Sequence, residues 1–281
     1  MKILVTGVKG QLGFDICKEL EKRGYDEVIG VDKEDLDITD EAAVDVYINE
    51  LKPDIIMHNA AWTAVDKAEE MEDACHNVNV LGTKYLAQAA QKIKAKIVYI
   101  STDYVFKGEG EDFFEVNSEI GPLSVYGKTK YQGEEEVRKC DKHFIVRISW
   151  VFGINGNNFI KTMLKLAETR TELNVVCDQI GSPTYTVDLS KLLCDMIETE
   201  KYGTYHATNE GICSWSEFAK EIFAMANKKV VVHDTLTKDY PTAAKRPLNS
   251  RLSKKSLDDA GFKRLPTWKN ALHRYLNELG V

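Results

Sequence analysis

The chain has 281 residues, of which 43% are hydrophobic and 29% charged, which suits a globular protein with a substantial buried core. No stretch approaches the roughly 18 uncharged apolar residues of a membrane-spanning helix, so no membrane partner is expected. The net charge of −7 argues against general nucleic-acid binding, which uses a basic surface, but it allows a small anionic substrate. Six widely spaced cysteines form no Cys-x-x-Cys pair and are expected to be free thiols of a cytoplasmic protein.

The first 150 residues alternate short apolar runs with amphipathic stretches. Runs that predict strands lie at Ile3 to Thr6, Glu27 to Val31, Ile55 to His58, Ile97 to Ser101 and Phe144 to Ile148. Stretches with helical periodicity lie at Leu12 to Lys22, Glu41 to Leu51, Ala68 to Ile93 and Lys128 to Val137. Strand followed by helix, repeated with continuously apolar strands, predicts an α/β fold. We expect a doubly wound parallel sheet that binds ligands at the carboxyl ends of its strands.

The character of the sequence changes after Trp150, where glycine and proline interrupt shorter elements. We therefore expect a dinucleotide-binding Rossmann domain over residues 1–150. Residues 151–281 would form a smaller substrate-binding region that partly returns to the Rossmann sheet. The last stretch, Thr267 to Leu279, predicts a terminal helix with Thr267 as its N-cap.

A glycine-rich turn directly follows the first predicted strand. Gly7, Gly10 and Gly13 are spaced as G-x-x-G-x-x-G and lead into the first predicted helix, the context that makes such a motif informative. Gly7 permits a tight turn, Gly10 lets the backbone approach a pyrophosphate, and Gly13 lets the helix pack closely on the strand. The helix start, with Gln11 and Leu12, would offer its amides and positive dipole end to the phosphates.

Acidic residues after the second predicted strand bear on the choice of coenzyme. Asp32 ends that strand, 19 residues after Gly13, where a carboxylate would hydrogen-bond the adenosine ribose. This favours NADH over NADPH, but Lys33 beside it would offset the repulsion of a 2′-phosphate, so the preference stays open. Asp37 and Ile38 lie where an adenine-contacting loop is expected, although this segment also fits the N-cap of the next helix.

Three further residues predict the chemistry. Tyr126 and Lys130 are four residues apart on a predicted helix and project from the same face. A tyrosine with an ordinary pKa of about 10 is a poor acid–base group at neutral pH, and a nearby ammonium would lower that pKa. Thr102, at the end of a predicted strand, would hold a substrate carbonyl oxygen beside the tyrosine. The set predicts proton-coupled hydride chemistry, although a Tyr/Lys pair of this spacing also occurs on protein surfaces.

Longer strings carry a family resemblance. They are Asn59-Ala60-Ala61-Trp62-Thr63-Ala64-Val65-Asp66-Lys67-Ala68-Glu69, Ser101-Thr102-Asp103-Tyr104-Val105-Phe106, Tyr126-Gly127-Lys128-Thr129-Lys130, Ser149-Trp150-Val151-Phe152-Gly153, Asn157-Asn158-Phe159 and Asp178-Gln179-Ile180-Gly181-Ser182-Pro183-Thr184. Over essentially its whole length the chain resembles the extended short-chain dehydrogenases/reductases, and within them the dTDP-4-dehydrorhamnose reductase family. The resemblance implies reduction, with NADPH or NADH, of the C4 ketone of dTDP-4-dehydro-L-rhamnose to dTDP-L-rhamnose, for a bacterial surface polysaccharide.

The resemblance also implies roles for individual residues. Thr102, Tyr126 and Lys130 would be the catalytic triad, with Tyr126 as the proton donor. Asn79 would complete a proton relay beside the coenzyme, although a helix-surface asparagine fits it equally well. Further coenzyme contacts would come from Ala60, Ala61 and Thr63. Contacts with the nucleotide sugar would come from Asp103, Tyr104, Trp150, Asn158, Lys161 and Arg246, of which Trp150 also fits a core position and Arg246 a plain loop.

Other functions are weighed against this one. A 4,6-dehydratase needs a second carboxylate after Asp103, where this chain has Tyr104. A sugar 4-epimerase would keep its NAD bound through a full cycle, and a regulatory subunit that only binds NADP commonly lacks part of the Thr/Tyr/Lys set. Asp15 lies where some relatives carry an acidic metal ligand at a dimer contact. One carboxylate makes no ligand set, so Mg²⁺ and a homodimer stay open and no metal ligand is assigned.

Overall fold

The computed structural model describes all 281 residues and contains fifteen strands and eleven α-helices. The strands are β1 (Lys2–Thr6), β2 (Glu27–Val31), β3 (Ile55–His58), β4 (Lys96–Thr102), β5 (His143–Ile148), β6 (Val151–Phe152), β7 (Glu172–Val176), β8 (Ile180–Gly181), β9 (Thr184–Tyr185), β10 (Gly203–His206), β11 (Asn209–Glu210), β12 (Cys213–Ser214), β13 (Val231–Thr235), β14 (Asn249–Ser250) and β15 (Leu265–Thr267). The helices are α1 (Gln11–Lys22), α2 (Glu41–Leu51), α3 (Val65–Glu70), α4 (Glu72–His76), α5 (Thr83–Ile93), α6 (Val125–Val137), α7 (Phe159–Leu166), α8 (Thr186–Ile197), α9 (Trp215–Met225), α10 (Lys255–Asp259) and α11 (Trp268–Leu279). None of the helices is both long and apolar enough to span a lipid bilayer.

The central sheet has six strands in the order β10-β5-β4-β3-β1-β2, and every neighbouring pair is parallel. The order reverses beside β1, which lies between β2 and β3, and a crevice for ligands is expected at such a switch point. The expected doubly wound parallel sheet is confirmed. The five predicted strands are present, and β10 adds an edge strand that no sequence pattern indicated.

Two apolar cores cover the faces of this sheet. On one face α1 and α8 pack together and bury Ile16, Leu20 and Leu193 against the strands. On the other face α2, α5 and α6 bury residues such as Ile48 and Leu86. Because both faces are covered, the strands are apolar throughout, which is why their sequences read as continuous apolar runs.

The C-terminal part has its own core, and apart from β10 its strands form only small sheets. Two- and three-stranded sheets join β6 to β9, β7 to β13, β11 to β15, and β12 to β8 to β14. A third apolar cluster lies among α7, α9 and α11 and includes Phe152, Phe218 and Tyr275. Helix α11 begins as predicted, with the Thr267 hydroxyl accepting a bond from the amide of Asn270.

One predicted helix is interrupted. The periodicity predicted a continuous helix from Ala68 to Ile93, but the chain breaks at Met71, where φ is −129° and ψ is 50°, and a π-helical turn follows over Asn77–Gly82. The wider turn shifts the helical phase before α5 begins. It lets the buried Asn79 side chain reach the loop at Trp62, a long-range contact that no local periodicity encodes.

Candidate active site

A cavity of about 740 Å³ runs along the carboxyl ends of the central strands. Most of the side chains predicted to bind ligands line it, although they come from separate stretches of sequence. These residues are Gly7, Gly10, Gln11, Leu12, Gly13, Asp32, Asp37, Ile38, Ala60, Ala61, Thr63, Thr102, Asp103, Tyr104, Tyr126, Lys130 and Trp150. Four predicted residues, Asn79, Asn158, Lys161 and Arg246, are not part of the cavity wall.

The glycine turn at one end of the cavity is built to receive an anion. Gly7 has φ of +70°, and a Cβ there would lie 2.9 Å from the amide nitrogen of Ala60. A Cβ on Gly13 would lie 2.3 Å from the Gly7 oxygen, so the helix can approach the turn only because this residue is glycine. No side chain caps α1, whose first amides are therefore left to face a ligand. The turn thus fits the pyrophosphate of a dinucleotide.

The end of the cavity predicted to bind adenosine is polar and contains both signs of charge. The Asp32 carboxylate accepts bonds from the backbone amides of Lys9, at 3.0 Å, and Lys33, at 2.8 Å. Asp32 is therefore tied to the glycine turn, and both lysines line the cavity beside it. Asp37 accepts bonds from the amide and hydroxyl of Thr39, which lowers its pKa. Asp40 caps α2, while Asp37 and Ile38 line the cavity. The segment therefore both caps a helix and contributes to the cavity wall.

The loop after β3 is held rigidly under the cavity. The Thr6 hydroxyl accepts bonds from the amides of Asn59 and Ala60, both at 3.1 Å. His58 lies between the hydroxyls of Thr6 and Thr83, 3.0 Å from each. Burial lowers the pKa of His58 to about 3, so it is a neutral strut rather than an acid–base group. The loop that includes Ala61 and Thr63 is fixed before a ligand enters.

Helix α6 presents Tyr126 in its first turn and Lys130 one turn later. Ser124 caps the helix by accepting a bond from the Gly127 amide at 3.2 Å. A Cβ on Gly127 would lie 2.2 Å from the backbone carbonyl oxygen of Tyr104. Glycine at this position therefore lets the helix approach the turn that follows β4. Tyr104 and Tyr126 meet edge to face with ring centroids 5.4 Å apart. The structure thereby brings the three predicted catalytic residues to one wall of the cavity.

The expected lowering of the tyrosine pKa is wrong for this arrangement. Burial raises the pKa of Tyr126 above its ordinary value, and the neighbouring Thr102 hydroxyl only partly opposes this. The Lys130 ammonium lies over the face of the Tyr99 ring, 4.0 Å from its centroid. Burial lowers the pKa of Lys130 itself to about 7, against the charge of Glu134. The phenol is therefore protonated at neutral pH, the state that a proton donor requires.

Asn79 supports the site from behind the wall. Its side-chain oxygen accepts a bond from the Trp62 amide at 2.8 Å, and its nitrogen donates to the Trp62 oxygen and to the Thr129 hydroxyl. Thr129 precedes Lys130, and its hydroxyl donates to the backbone carbonyl oxygen of Tyr126 at 3.0 Å. The Asn79 amide is buried rather than on a helix surface and is saturated by protein contacts. Its role in a proton relay stays a prediction.

Arg246 reaches the site through Tyr104. Its guanidinium donates to the Tyr104 hydroxyl at 3.2 Å and to the Asp66 carboxylate at 2.5 Å. Asp66 also accepts a bond from the Ala244 amide at 3.0 Å, so it fastens the loop that carries Arg246. Asp66 lay within the string that carried the family resemblance but was assigned no role there. Arg246 does not line the cavity itself, but its guanidinium contacts Tyr104, which does.

Trp150 is held in an unusual conformation. It has φ of 50°, a region that L-residues seldom adopt, and stacks on Trp215 with centroids 3.8 Å apart. Its ring lies so close to Gly181 that a Cβ there would come within 2.9 Å. One side of the indole is therefore fixed by packing while the residue still lines the cavity.

Asn158 and Lys161 use their polar atoms inside the protein. Asn158 caps α7 and donates to Gln11 Oε1 at 3.1 Å and to the Tyr275 hydroxyl at 2.8 Å. The Lys161 ammonium donates to the backbone oxygens of Ile154, at 2.5 Å, and Gly156. Contact between either residue and a nucleotide diphosphate stays a prediction that the structure does not favour.

The carboxyl of Asp15 is buried under α8 and bonds to the Thr186 hydroxyl at 2.5 Å. Burial raises its pKa. No group of three or more His, Cys, Asp or Glu side chains lies close enough together to hold a metal ion. These residues therefore do not fit a Mg²⁺ site within one chain.

A buried ion pair, which the sequence did not indicate, anchors α6. Glu134 lies two turns after Tyr126 and is fully buried. Its Oε1 accepts bonds from Ser101 Oγ at 2.5 Å and Arg147 Nε at 2.8 Å, and its Oε2 accepts from Arg147 Nη2 at 2.7 Å. Because Ser101 directly precedes Thr102, this ion pair fixes the helix against β4 at the point where the three predicted catalytic side chains meet.

Comparisons with known proteins match this description. The model of the family described as RmlD substrate binding domain matches residues 1–281. The spore coat polysaccharide biosynthesis protein SpsK of Bacillus subtilis is 42% identical over 278 residues, which cover 99% of this chain and 97% of that protein. A dTDP-4-dehydrorhamnose reductase of Aggregatibacter actinomycetemcomitans is 43% identical over 96% of this chain and 97% of its own. A crystal structure of dTDP-4-dehydrorhamnose reductase from Bacillus anthracis in complex with NADP superposes with a TM-score of 0.96 at 44% identity, covering 99% of this chain and 100% of that one.

Proposed function

Because the chain belongs to the RmlD substrate binding domain family, whose members include dTDP-4-dehydrorhamnose reductases, we propose that it reduces the C4 ketone of dTDP-4-dehydro-L-rhamnose to dTDP-L-rhamnose. It is a nicotinamide-dependent oxidoreductase of the extended short-chain dehydrogenase/reductase type. The single observation that carries the proposal is the wall on which Thr102, Tyr126 and Lys130 meet beside the glycine turn. When bound, the coenzyme supplies the hydride that the protein itself cannot provide.

The residues of the chain divide the remaining work. The amides of the glycine turn and the start of α1 would hold the pyrophosphate, and Asp32 with Asp37 and Ile38 would hold the adenosine. Ala60, Ala61 and Thr63 would border the nicotinamide half, and Lys130 would hold its ribose. These assignments follow the family and are supported by the position of each residue on the cavity wall.

Tyr126 acts as the general acid. Since burial keeps its phenol protonated, Tyr126 can transfer that proton to the C4 oxygen of the substrate as the ketone is reduced. Thr102 and Tyr104 lie beside the phenol, and Trp150 offers a fixed apolar face to the sugar ring. Arg246 extends the site through Tyr104 towards the diphosphate, whose charge competes with Asp66 for the guanidinium.

We propose that the chain accepts NADPH as well as NADH. The Asp32 carboxylate, which would repel a 2′-phosphate, is already bonded to two backbone amides, and Lys9 and Lys33 lie beside it. The relative from Bacillus anthracis was crystallised with NADP and is 44% identical to this chain. We place the protein in the cytoplasm, where its reduced coenzyme is regenerated. The homodimer stays a prediction that the mass of the protein in solution would test.

The direct test is coenzyme oxidation with dTDP-4-dehydro-L-rhamnose. We expect loss of absorbance at the reduced-nicotinamide band with both coenzymes and formation of one equivalent of dTDP-L-rhamnose. A UDP-linked 4-keto sugar serves as the comparison that reports nucleotide preference. A folded protein that binds the coenzyme but oxidises none of it would overturn the proposal. Inversion at C4 of a sugar alcohol by enzyme-bound NAD, with no net change of the coenzyme, would identify an epimerase instead.

A further inference from the structure

Asp103 is a buried carboxyl beside the reacting groups without an ion-pair partner. It lies between Thr102 and Tyr104 on the cavity wall and is 3% exposed. Oδ1 accepts a bond from the Thr102 hydroxyl at 3.0 Å, and Oδ2 accepts a short bond from the Ser250 hydroxyl. Both partners are neutral. A buried carboxyl whose partners are hydroxyls and backbone amides, with no cation among them, sits in a setting in which its neutral form is accessible.

Ser250 reaches this carboxyl from the far end of the chain. It belongs to β14, which pairs in parallel with β8, and it is 2% exposed. Ser250 does not line the cavity and was not among the residues predicted from the sequence. Its only side-chain bond is the one to Asp103, so its hydroxyl acts on the active site through that carboxyl.

The Thr102 hydroxyl can form only a small number of hydrogen bonds. A hydroxyl has one hydrogen to donate and two lone pairs that accept. In the structure the hydrogen points to Asp103, and one lone pair accepts from the Tyr104 amide at 3.2 Å. While Asp103 is a carboxylate, Thr102 therefore has no hydrogen left for a substrate ketone.

Protonation of Asp103 reverses these directions. Since Ser250 continues to donate to Oδ2, the proton goes to Oδ1, which then donates to Thr102. The two lone pairs of Thr102 are then filled by Asp103 and by the Tyr104 amide, so the hydrogen of Thr102 becomes free to donate. A ketone oxygen has two lone pairs and can accept from Thr102 as well as from Tyr126.

We propose that Asp103, held by Ser250, is a positioning residue that decides whether Thr102 donates its hydrogen to the substrate ketone or to the Asp103 carboxylate. The inference rests on the proposed reductase function and concerns the same site. Asp103 gives no proton to the product; Tyr126 does, and Asp103 sets the direction of the bonds around that transfer.

The surroundings of Asp103 fix the sign of the pH dependence. Tyr104 from its own turn and Tyr126 from α6 are the titratable groups that face it, Ser250 faces it from β14, and burial raises its pKa to about 6. The Arg246 guanidinium bonds to Tyr104 and Asp66 instead. Below the pKa the carboxyl is protonated and Thr102 can donate to the ketone. Reduction should therefore slow about tenfold as pH rises through it. A bound diphosphate adds negative charge and excludes water, so the inflection in kcat should lie above that in kcat/KM.

The test compares pH profiles of three variants. Ser250→Ala removes a donor that favours the carboxylate, so the inflection should move to higher pH. Asp103→Asn is neutral at every pH, so the inflection should disappear. Ser190→Ala, a buried serine of α8 that bonds within its own helix, should keep the profile of the unmodified protein.

A spectroscopic readout separates this proposal from the proposed function. The carboxyl carbon of Asp103, followed by ¹³C NMR and assigned by its loss in Asp103→Asn, should titrate near pH 6 and at higher pH in Ser250→Ala. If Ser250→Ala leaves both the titration and the kinetic inflection unmoved, or if Asp103→Asn retains the inflection, the proposal is wrong. An inactive protein in which Asp103 titrates as expected would instead refute the reductase function. If Asp103→Asn does not fold, the Ser250→Ala comparison still decides.

Discussion

The two parts of the chain use their polar side chains differently. In residues 1–150 the predicted ligand-binding groups follow the ends of parallel strands and, apart from Asn79, line one cavity. In residues 151–281 the polar groups predicted to bind ligands, Asn158, Lys161 and Arg246, are bonded to the protein instead. Parallel strands bring their carboxyl ends to one edge, so a residue at a strand end has a defined place. A loop residue acquires its place only from the packing around it, which its neighbours in sequence do not encode.

The sharpest test of this contrast is Tyr126→Phe, which removes the proton donor and leaves the ring. We expect kcat to fall by about 10²- to 10⁴-fold, since the phenol is the acid that the reduction requires. Coenzyme affinity should change little. Tyr131→Phe, on the same helix but packed away from the cavity, is the matched control and should retain full activity. Steady-state kinetics with both variants measures this, and equal losses in the two would show that the helix rather than the hydroxyl matters.

A second prediction probes how much the strand-end site depends on contacts that are distant in sequence. Glu134→Gln leaves the buried Arg147 without its carboxylate and should lower the free energy of unfolding by about 3–5 kcal/mol. Glu136→Gln is the control, because Glu136 pairs with the exposed Lys139 and should cost about 0–1 kcal/mol. Urea unfolding compares them. If the two variants unfold at the same denaturant concentration, the ion pair does not anchor α6.

These cases show which parts of the molecule could be predicted from sequence. The glycine turn, Asp32 and the Tyr126/Lys130 pair are local patterns whose geometry follows from strand–turn–helix connectivity, so they were found. The direction of the Tyr126 pKa was missed because burial, which depends on the whole fold, raises that pKa, and the Lys130 ammonium lies over the Tyr99 ring. Ser250 and Glu134 carried no signal, since each acts through a partner on a different element. Sequence spacing identified groups that line the cavity, whereas packing determined the groups that hold them.

Asn158 offers a way to break the contrast between the two parts. If its role is structural, Asn158→Ala should lower the free energy of unfolding by about 1–3 kcal/mol, through loss of the α7 cap and of the bonds to Gln11 and Tyr275. Asn158→Ser keeps a capping oxygen and should recover about half of that loss. The KM for the nucleotide sugar should change by about threefold or less, because the Asn158 side chain is engaged within the protein. A tenfold rise in KM with unchanged stability would instead place Asn158 on the diphosphate, as the family resemblance implied.

The smallest effect concerns the choice of coenzyme, which depends on the charges of Asp32 and Lys33 on the cavity wall. Lys33 follows Asp32 on the cavity wall, while the ammonium of Lys9 is already paired with Glu34 at 2.8 Å, so Lys33→Gln is the more direct test. A single charge near a 2′-phosphate at an exposed position contributes about 1 kcal/mol, so KM for NADPH should rise about three- to tenfold while KM for NADH stays constant. Lys18→Gln on α1 removes the same charge away from the cavity and should alter neither value. The selectivity should also shrink as ionic strength rises, because salt screens an exposed pair. A parallel rise in KM for both coenzymes would mean that Lys33 supports the shape of the adenosine pocket, and that this edge of the site, like the C-terminal loops, is organised by packing rather than by charge.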